Sequence, residues 1–209
     1  MDTDETGLAR IDRRVAQLFA LVSEAIAQAT DALLTGSPAT GQAVVDGDQA
    51  IDDLTAEVEL LVWDELQTPP VDTDELRRLV GVLLILPELE RSADLAEHVA
   101  QRAVSNLGAA MSPLSRGIVQ RMTEVAVEMW HTAADAYAAG TAGGDDLAED
   151  DEEIDILHQR LTDEIAAEAM PTPVAAQVTL LARFYERLGD HAVNLARRIE
   201  LLGRGQAHR

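Results

Sequence analysis

Apolar residues return every three or four positions along almost the whole chain, and that period leaves room for little besides helices. Leu18, Leu21, Val22, Ala25, Ala29 and Ala32 form one stripe. Ile51, Leu54, Val58 and Leu61 form a second, and Val82, Leu86, Leu89, Ala93, Ala96 and Ala100 a third. Such spacing keeps the apolar groups on one face of a helix. No run of alternating β-branched residues is long enough to argue for a strand. Of the seven prolines, six (Pro38, Pro69, Pro70, Pro113, Pro171 and Pro173) fall where the period breaks. The seventh, Pro87, sits inside a helical stretch and predicts a kink. Six helices follow, at roughly 7–35, 41–67, 73–107, 112–140, 145–170 and 172–203. Thr73 and Ser112 are candidate N-caps, the latter with Pro113 at the first helical position. Short connections predict antiparallel neighbours.

The six helices are three helices repeated. Ile51-Asp52-Asp53-Leu54 matches Ile154-Asp155-Ile156-Leu157. Glu90-Arg91-Ser92-Ala93-Asp94 matches Glu186-Arg187-Leu188-Gly189-Asp190. In the first helix of each set, Glu24 and Asp31 match Glu128 and Asp135. The expected units are residues 1–108 and 109–209.

Charge narrows the function classes. With 38 acidic and 16 basic residues the formal net charge is −22, and the halves carry −14 and −8. A nucleic-acid binder is disfavoured, since a phosphate backbone needs a basic face. Charge-driven binding to an anionic bilayer is disfavoured likewise. The absence of cysteine removes disulfides, thiolate metal sites and cysteine nucleophiles together. The N-terminus is acidic where a secretory signal is basic. The longest unbroken aliphatic segment, residues 79–86, is far short of a membrane span. The expected location is the cytoplasm.

The repeat marks carboxylates. Asp48 and Asp52, Glu90 and Asp94, Asp151 and Asp155, and Glu186 and Asp190 are four pairs of one form, acid-x-x-x-acid, two in each half. Residues four apart lie one above the other on a helix, and like charges there cost a few tenths of a kcal/mol in isolation. Arg91 and Arg187 follow the two glutamates, but one residue on is about 100° around the helix, away from the pair. A multivalent cation is the other compensation. Two facing helices would offer it four carboxylates, an all-oxygen site for a hard or borderline metal. An acidic chain also shows many such pairs on solvated faces, so the weight lies in their repetition at matched positions. Glu90 and Asp94 moreover border the apolar stripe of Leu86, Ala93 and Ala100.

Other candidates are weaker. Glu128 and His131 have a Glu-x-x-His spacing, which di-iron carboxylate bundles need twice. His158, Glu59, His98 and His191 lie near the acid pairs, where a polar neighbour is the commoner role. The segment 145–155 holds eight acids in eleven residues, and acids at a helix start favour the macrodipole. Only Asp151 and Asp155 are taken from it as site residues. No phosphate-binding glycine loop, dinucleotide fingerprint or nucleophile elbow is present, so no catalytic residue is expected.

The run Glu186-Arg187-Leu188-Gly189-Asp190-His191-Ala192-Val193-Asn194-Leu195-Ala196 closely resembles the signature of the PhoU family of phosphate-transport accessory and regulatory proteins. Glu90-Arg91-Ser92-Ala93-Asp94-Leu95-Ala96-Glu97-His98-Val99 resembles its first-repeat copy. That copy has Ser92-Ala93 where a glycine commonly precedes the aspartate, and Leu95 in place of His191, so the second copy matches better. The resemblance covers the chain from about Leu8 to Leu202. It implies two pseudo-symmetric three-helix bundles side by side. It also implies multinuclear metal clusters on the bundle surface, iron in some relatives and zinc, manganese or magnesium in others. The implied role is negative regulation of the phosphate-starvation response, linking the ATPase of the phosphate importer to a sensor histidine kinase. A homodimer is the expected assembly. The competing readings are a di-iron or phosphatase-like metalloenzyme and a bare helical scaffold with solvated acids.

Overall fold

In the computed structural model, residues 6–68, 72–140, 146–167 and 170–203 are described. They form helices α1 (Gly7–Thr35), α2 (Pro38–Leu66), α3 (Thr73–Val104), α4 (Leu107–Ala110), α5 (Pro113–Ala139), α6 (Asp146–Ala167) and α7 (Thr172–Gly203). No strand occurs among the described residues, as the apolar period predicts.

The helix ends follow local chemistry that periodicity does not carry. α2 begins at Pro38 rather than at residue 41, because the Ser37 side chain caps the Thr40 N–H and Pro38 takes an N-terminal position that needs no donor. Asp72, not Thr73, caps α3, accepting from the N–H groups of Asp74 and Glu75 at 2.9 and 2.8 Å. α3 stops at Val104 instead of reaching residue 107, since Asn106 adopts a left-handed conformation (φ 60°) and the one-turn α4 follows. Ser112 caps α5 as expected. α6 ends at Ala167, leaving Met170 outside it, while Asp145 falls outside the described residues. Gly36 and Gly140 close α1 and α5 with φ of 70° and 62°, a backbone state that glycine adopts without a Cβ penalty. α3 runs unbroken through Pro87.

α1, α2 and α3 pack on one another, and so do α5, α6 and α7. The two sets meet along α3 against α7 and α1 against α5, and the buried apolar residues form one continuous core. α1 is apolar enough, by length and composition, to cross a bilayer. Here its apolar face, from Ile11 and Val15 to Ile26 and Leu33, is core.

Aromatic side chains concentrate where the two sets meet. Phe19 of α1 lies against Trp130 and Tyr137 of α5, with ring centroids 6.1 and 5.8 Å apart. The Tyr185 hydroxyl bonds to Thr30 of α1, and the Trp130 indole N–H donates to the Leu188 carbonyl at 3.2 Å. Burial pushes the Tyr185 hydroxyl up to about 12. Phe184 of α7 stacks on His98 of α3 at 5.4 Å and lies under the Arg102 guanidinium.

Candidate functional site

Each acid-x-x-x-acid pair faces its partner pair across two helices. On the first repeat, Asp48 and Asp52 of α2 lie within electrostatic reach of Glu90 and Asp94 of α3. Burial and then the charges of Asp52, Glu97, Asp94 and Glu90 push the Asp48 carboxyl up to about 6. On the second repeat, Asp151 of α6 is raised in the same way, by burial and then by Asp155 and Asp190, with Glu186 a smaller contributor. Asp48, Asp52, Asp151 and Glu186 are half-buried at the edge of their helices, and Glu90, Asp94, Asp155 and Asp190 are exposed. On each repeat, the two pairs that repetition marks in the sequence thus lie within electrostatic reach of one another. Among the described residues, no three of His, Asp or Glu converge on one point as a single metal ion would require. The donor set is nevertheless all carboxylate, which suits hard cations, and Asp48 and Asp151 are raised first by burial and then by the carboxylates around them.

The two faces are not equally acidic. Arg197 lowers the charge felt by Asp151, and Arg183 pairs with Glu186. The corresponding positions of the first repeat are Gln101 and Pro87, and the charges acting on Asp48 among the described residues are all carboxylates. The first face also gains Glu97, whose counterpart is Val193. Glu97, Asp48 and Glu24 of α1 line a cleft of about 210 Å³ floored by Leu21, Val44 and Ala93. The better sequence match in the second repeat thus does not make it the more acidic site. Glu97 was legible only as one more acid on α3; its neighbours came from the packing of α1 and α2.

Gly189 lets α7 approach α6 closely. A Cβ there would stand 3.1 Å from the Ile154 side chain and 3.5 Å from Asp151 Oδ1. Arg91 bonds to Glu88 at 3.0 Å, pointing away from the Glu90 and Asp94 pair as helix geometry requires. Glu128 contributes charge at Asp150 rather than at Asp151, and His131 is exposed, so these two add nothing to the paired carboxylates.

A second polar cluster lies between α3 and α7. Glu88 is buried, 3% exposed, and receives Arg198 of α7 at 3.0 Å as well as Arg91. Ser92 donates to the Glu88 carbonyl at 2.7 Å and meets His191 Nδ1 at 2.9 Å. Burial keeps the His191 imidazole below its usual range, outweighing the nearby Glu88. The Arg198 guanidinium also donates to the Leu84 carbonyl, close to the Leu83 carbonyl whose helical partner Pro87 removes. The repeat relates Glu88 to Phe184 and Arg198 to Arg102. Each arginine therefore reaches the same position of the opposite helix, making an ion pair in one case and a cation–π contact in the other. Glu88 carried no motif in the sequence, and only the antiparallel crossing of α3 and α7 reveals its partners.

A two-repeat helical fold with an acidic face on each repeat defines a carboxylate-rich helical-bundle class. The PhoU domain model matches residues 15–103 and again 119–199, and the chain belongs to the PhoU family. A phosphate-specific transport system accessory protein PhoU homolog of Rhizobium meliloti is 27% identical over 98% of this chain and 89% of that protein. The PhoU homolog 2 of Mycobacterium tuberculosis is 30% identical over 92% of each. The fold is shared with the crystal structure of PhoU from Pseudomonas aeruginosa, at TM-score 0.87, 24% identity, and 95% and 98% coverage of the two chains. The phosphate transport system regulatory protein PhoU of Streptococcus pneumoniae superposes at TM-score 0.84, with 21% identity over 95% of each chain.

Proposed function

We propose that this chain is a metal-binding regulatory adaptor of phosphate uptake, acting in the cytoplasm as a homodimer. Its family membership and the names of its relatives support the link to phosphate transport. The observation that supports the metal is the placing of half-buried Asp48 and Asp151 within electrostatic reach of carboxylates on a second helix, Glu90 and Asp94 in one repeat and Glu186 and Asp190 in the other. On this reading Asp48, Asp52, Glu90 and Asp94 hold one cation cluster, and Asp151, Asp155, Glu186 and Asp190 the other. Iron fits the family expectation, and zinc, manganese or magnesium suit the same oxygen donors. A cation held by these carboxylates would supply the positive charge that offsets their mutual repulsion. No side chain is assigned a catalytic role.

As an adaptor, the protein would couple the importer ATPase to the sensor histidine kinase and hold the starvation response off when phosphate is plentiful. The test is a reporter of phosphate-starvation genes in phosphate-rich medium. It compares a strain lacking this protein and every other family member with the same strain complemented by this chain. Derepression in the deletion and its reversal by the chain are expected. Normal repression in the deletion strain would sink the regulatory role.

A further inference from the structure

We propose that the outer face of the α2–α3 hairpin docks a cationic amphipathic helix of a protein partner. Leu60 and Trp63 of α2 are 67% and 54% exposed, and Leu76 and Val80 of α3 are 45% and 41% exposed. The second repeat provides an internal control. Its matched positions are Asp163, Ala166, Thr172 and Ala176, all exposed. The neighbouring buried pairs Val58 and Leu161, and Val82 and Val178, stay apolar in both repeats. The same helical hairpin therefore forms without large apolar groups at these four positions, so packing does not account for them. Leu84 and Leu180 are matched and exposed in both repeats, and they set no such contrast.

The antiparallel register of α2 and α3 brings the four residues to the same end of the hairpin. Gly41 of α2 lies against Ala103 and Val104 of α3, and Asp48 senses Asp94 and Glu97. Continuing this antiparallel register places Trp63 level with residues 79–82, beside Val80 and a turn from Leu76. Trp63 is also the aromatic residue that takes no part in joining the repeats, whereas Phe19, Trp130, Tyr137, Phe184 and Tyr185 all do. Exposed aromatic and aliphatic groups gathered in one patch are the usual centre of a protein interface.

Charge selects the occupant. α2 carries eight acids and no basic residue, and the two arginines beside Leu76 on α3, Arg77 and Arg78, are paired with Asp74 and Asp12. A second copy would bring the same acidic helix against itself, and an anionic bilayer would be repelled as well. A helix with an apolar side for Trp63, Leu76 and Val80, and Arg or Lys for the flanking acids, matches both properties. This surface deepens the adaptor reading by saying where a partner sits, but it can be tested without any phosphate phenotype.

The probe is an 18-residue synthetic helix of Leu, Ala and Arg, with leucines on one side and arginines on the other, titrated into the full chain. Trp63 emission should move to shorter wavelength on binding. Leu76→Glu with Val80→Glu should weaken binding tenfold or more. Thr172→Glu with Ala176→Glu adds the same charge at the matched positions and should change affinity by less than threefold. Trp63→Ser, read by titration calorimetry because it lacks the emitting group, should weaken binding as well, and circular dichroism of each variant checks the fold. Equal affinities in the two double variants would mean diffuse attraction and overturn the proposal. So would equal binding of a probe carrying Glu for Arg. Sedimentation showing that wild type self-associates and Leu76→Glu with Val80→Glu does not would assign the face to a second copy instead. Failure of the reporter assay with normal probe binding would remove the phosphate role and leave this surface standing.

Discussion

At the level of single residues, Glu88 has the most demanding environment. Its carboxylate is buried at the α3–α7 junction and depends on Arg198 and Arg91. Removing one partner of a buried ion pair commonly costs ~3–5 kcal/mol, because the other charge is left unpaired. Arg198 is itself 35% exposed and Arg91 remains. Arg198→Ala should therefore destabilise by about 1–3 kcal/mol, read from urea denaturation at pH 7, and Arg198→Met by less if packing of the stem matters. Loss of no stability in either would show that Arg91 suffices. Asp48 makes a pH prediction. Its folded-state value of about 6 lies above the ordinary 3.8, so the folded protein holds that proton more tightly than the unfolded chain. The proton's stabilising contribution is full below about pH 4 and is lost as pH rises through about 6. In chelator-treated protein, thermal melts between pH 4.5 and 7.5 should show Asp48→Asn gaining on wild type as pH rises. A constant difference between the two would place Asp48 in an ordinary solvated setting. The reason this residue is singled out is spatial: sequence spacing pairs it with Asp52, but Glu97 and Asp94 reach it from α3.

Among the elements, helix existence follows from period and helix ends from caps. Pro38 breaks the apolar period, yet it opens α2 because the first turn of a helix has no use for its missing donor. Asn106 does the opposite. Nothing in the apolar pattern of α3 marks it, and its left-handed backbone ends the helix early and turns the chain into α4. There a Cβ at Gly108 would overlap the Leu33 carbonyl oxygen. Gly108→Ala should cost about 1–3 kcal/mol by forcing α4 off α1. A Cβ at Gly117, within α5, would meet nothing within 4 Å, so Gly117→Ala should stabilise by about 0.5–1 kcal/mol. Chemical denaturation of both variants tests the pair, and the same sign for the two would refute the close approach of α4 and α1.

The whole molecule is one core built by two similar halves, so its response to metal should be additive by half and cooperative in unfolding. Glu186→Ala with Asp190→Ala removes the α7 pair and is expected to lower bound metal by about half, measured by elemental analysis of protein purified without chelator or metal-affinity tag. Full metal content in that variant would refute the second cluster. Ligand bound only to the folded state stabilises by ~2.7 kcal/mol at a hundredfold excess over its dissociation constant. Chelation should thus lower the melting temperature while far-ultraviolet circular dichroism at 25 °C stays helical, because the apolar core spans both halves without metal. Loss of helicity on chelation would contradict that core.

Sequence alone determined the helical class, the threefold order of helices and its duplication. These rest on local rules, the 3.6-residue period and the chemistry of proline and caps, that act within a few residues. It also singled out the eight paired acids, since repetition is visible without coordinates. Tertiary structure decided which charges surround Asp48, why the first face is the more acidic, and that Glu88 is buried against Arg198. Those facts depend on where α3 crosses α7 and α1 crosses α5. The crossing is set by side chains far apart in the chain, such as Phe19 with Trp130 and Thr30 with Tyr185, whose meeting no periodicity encodes.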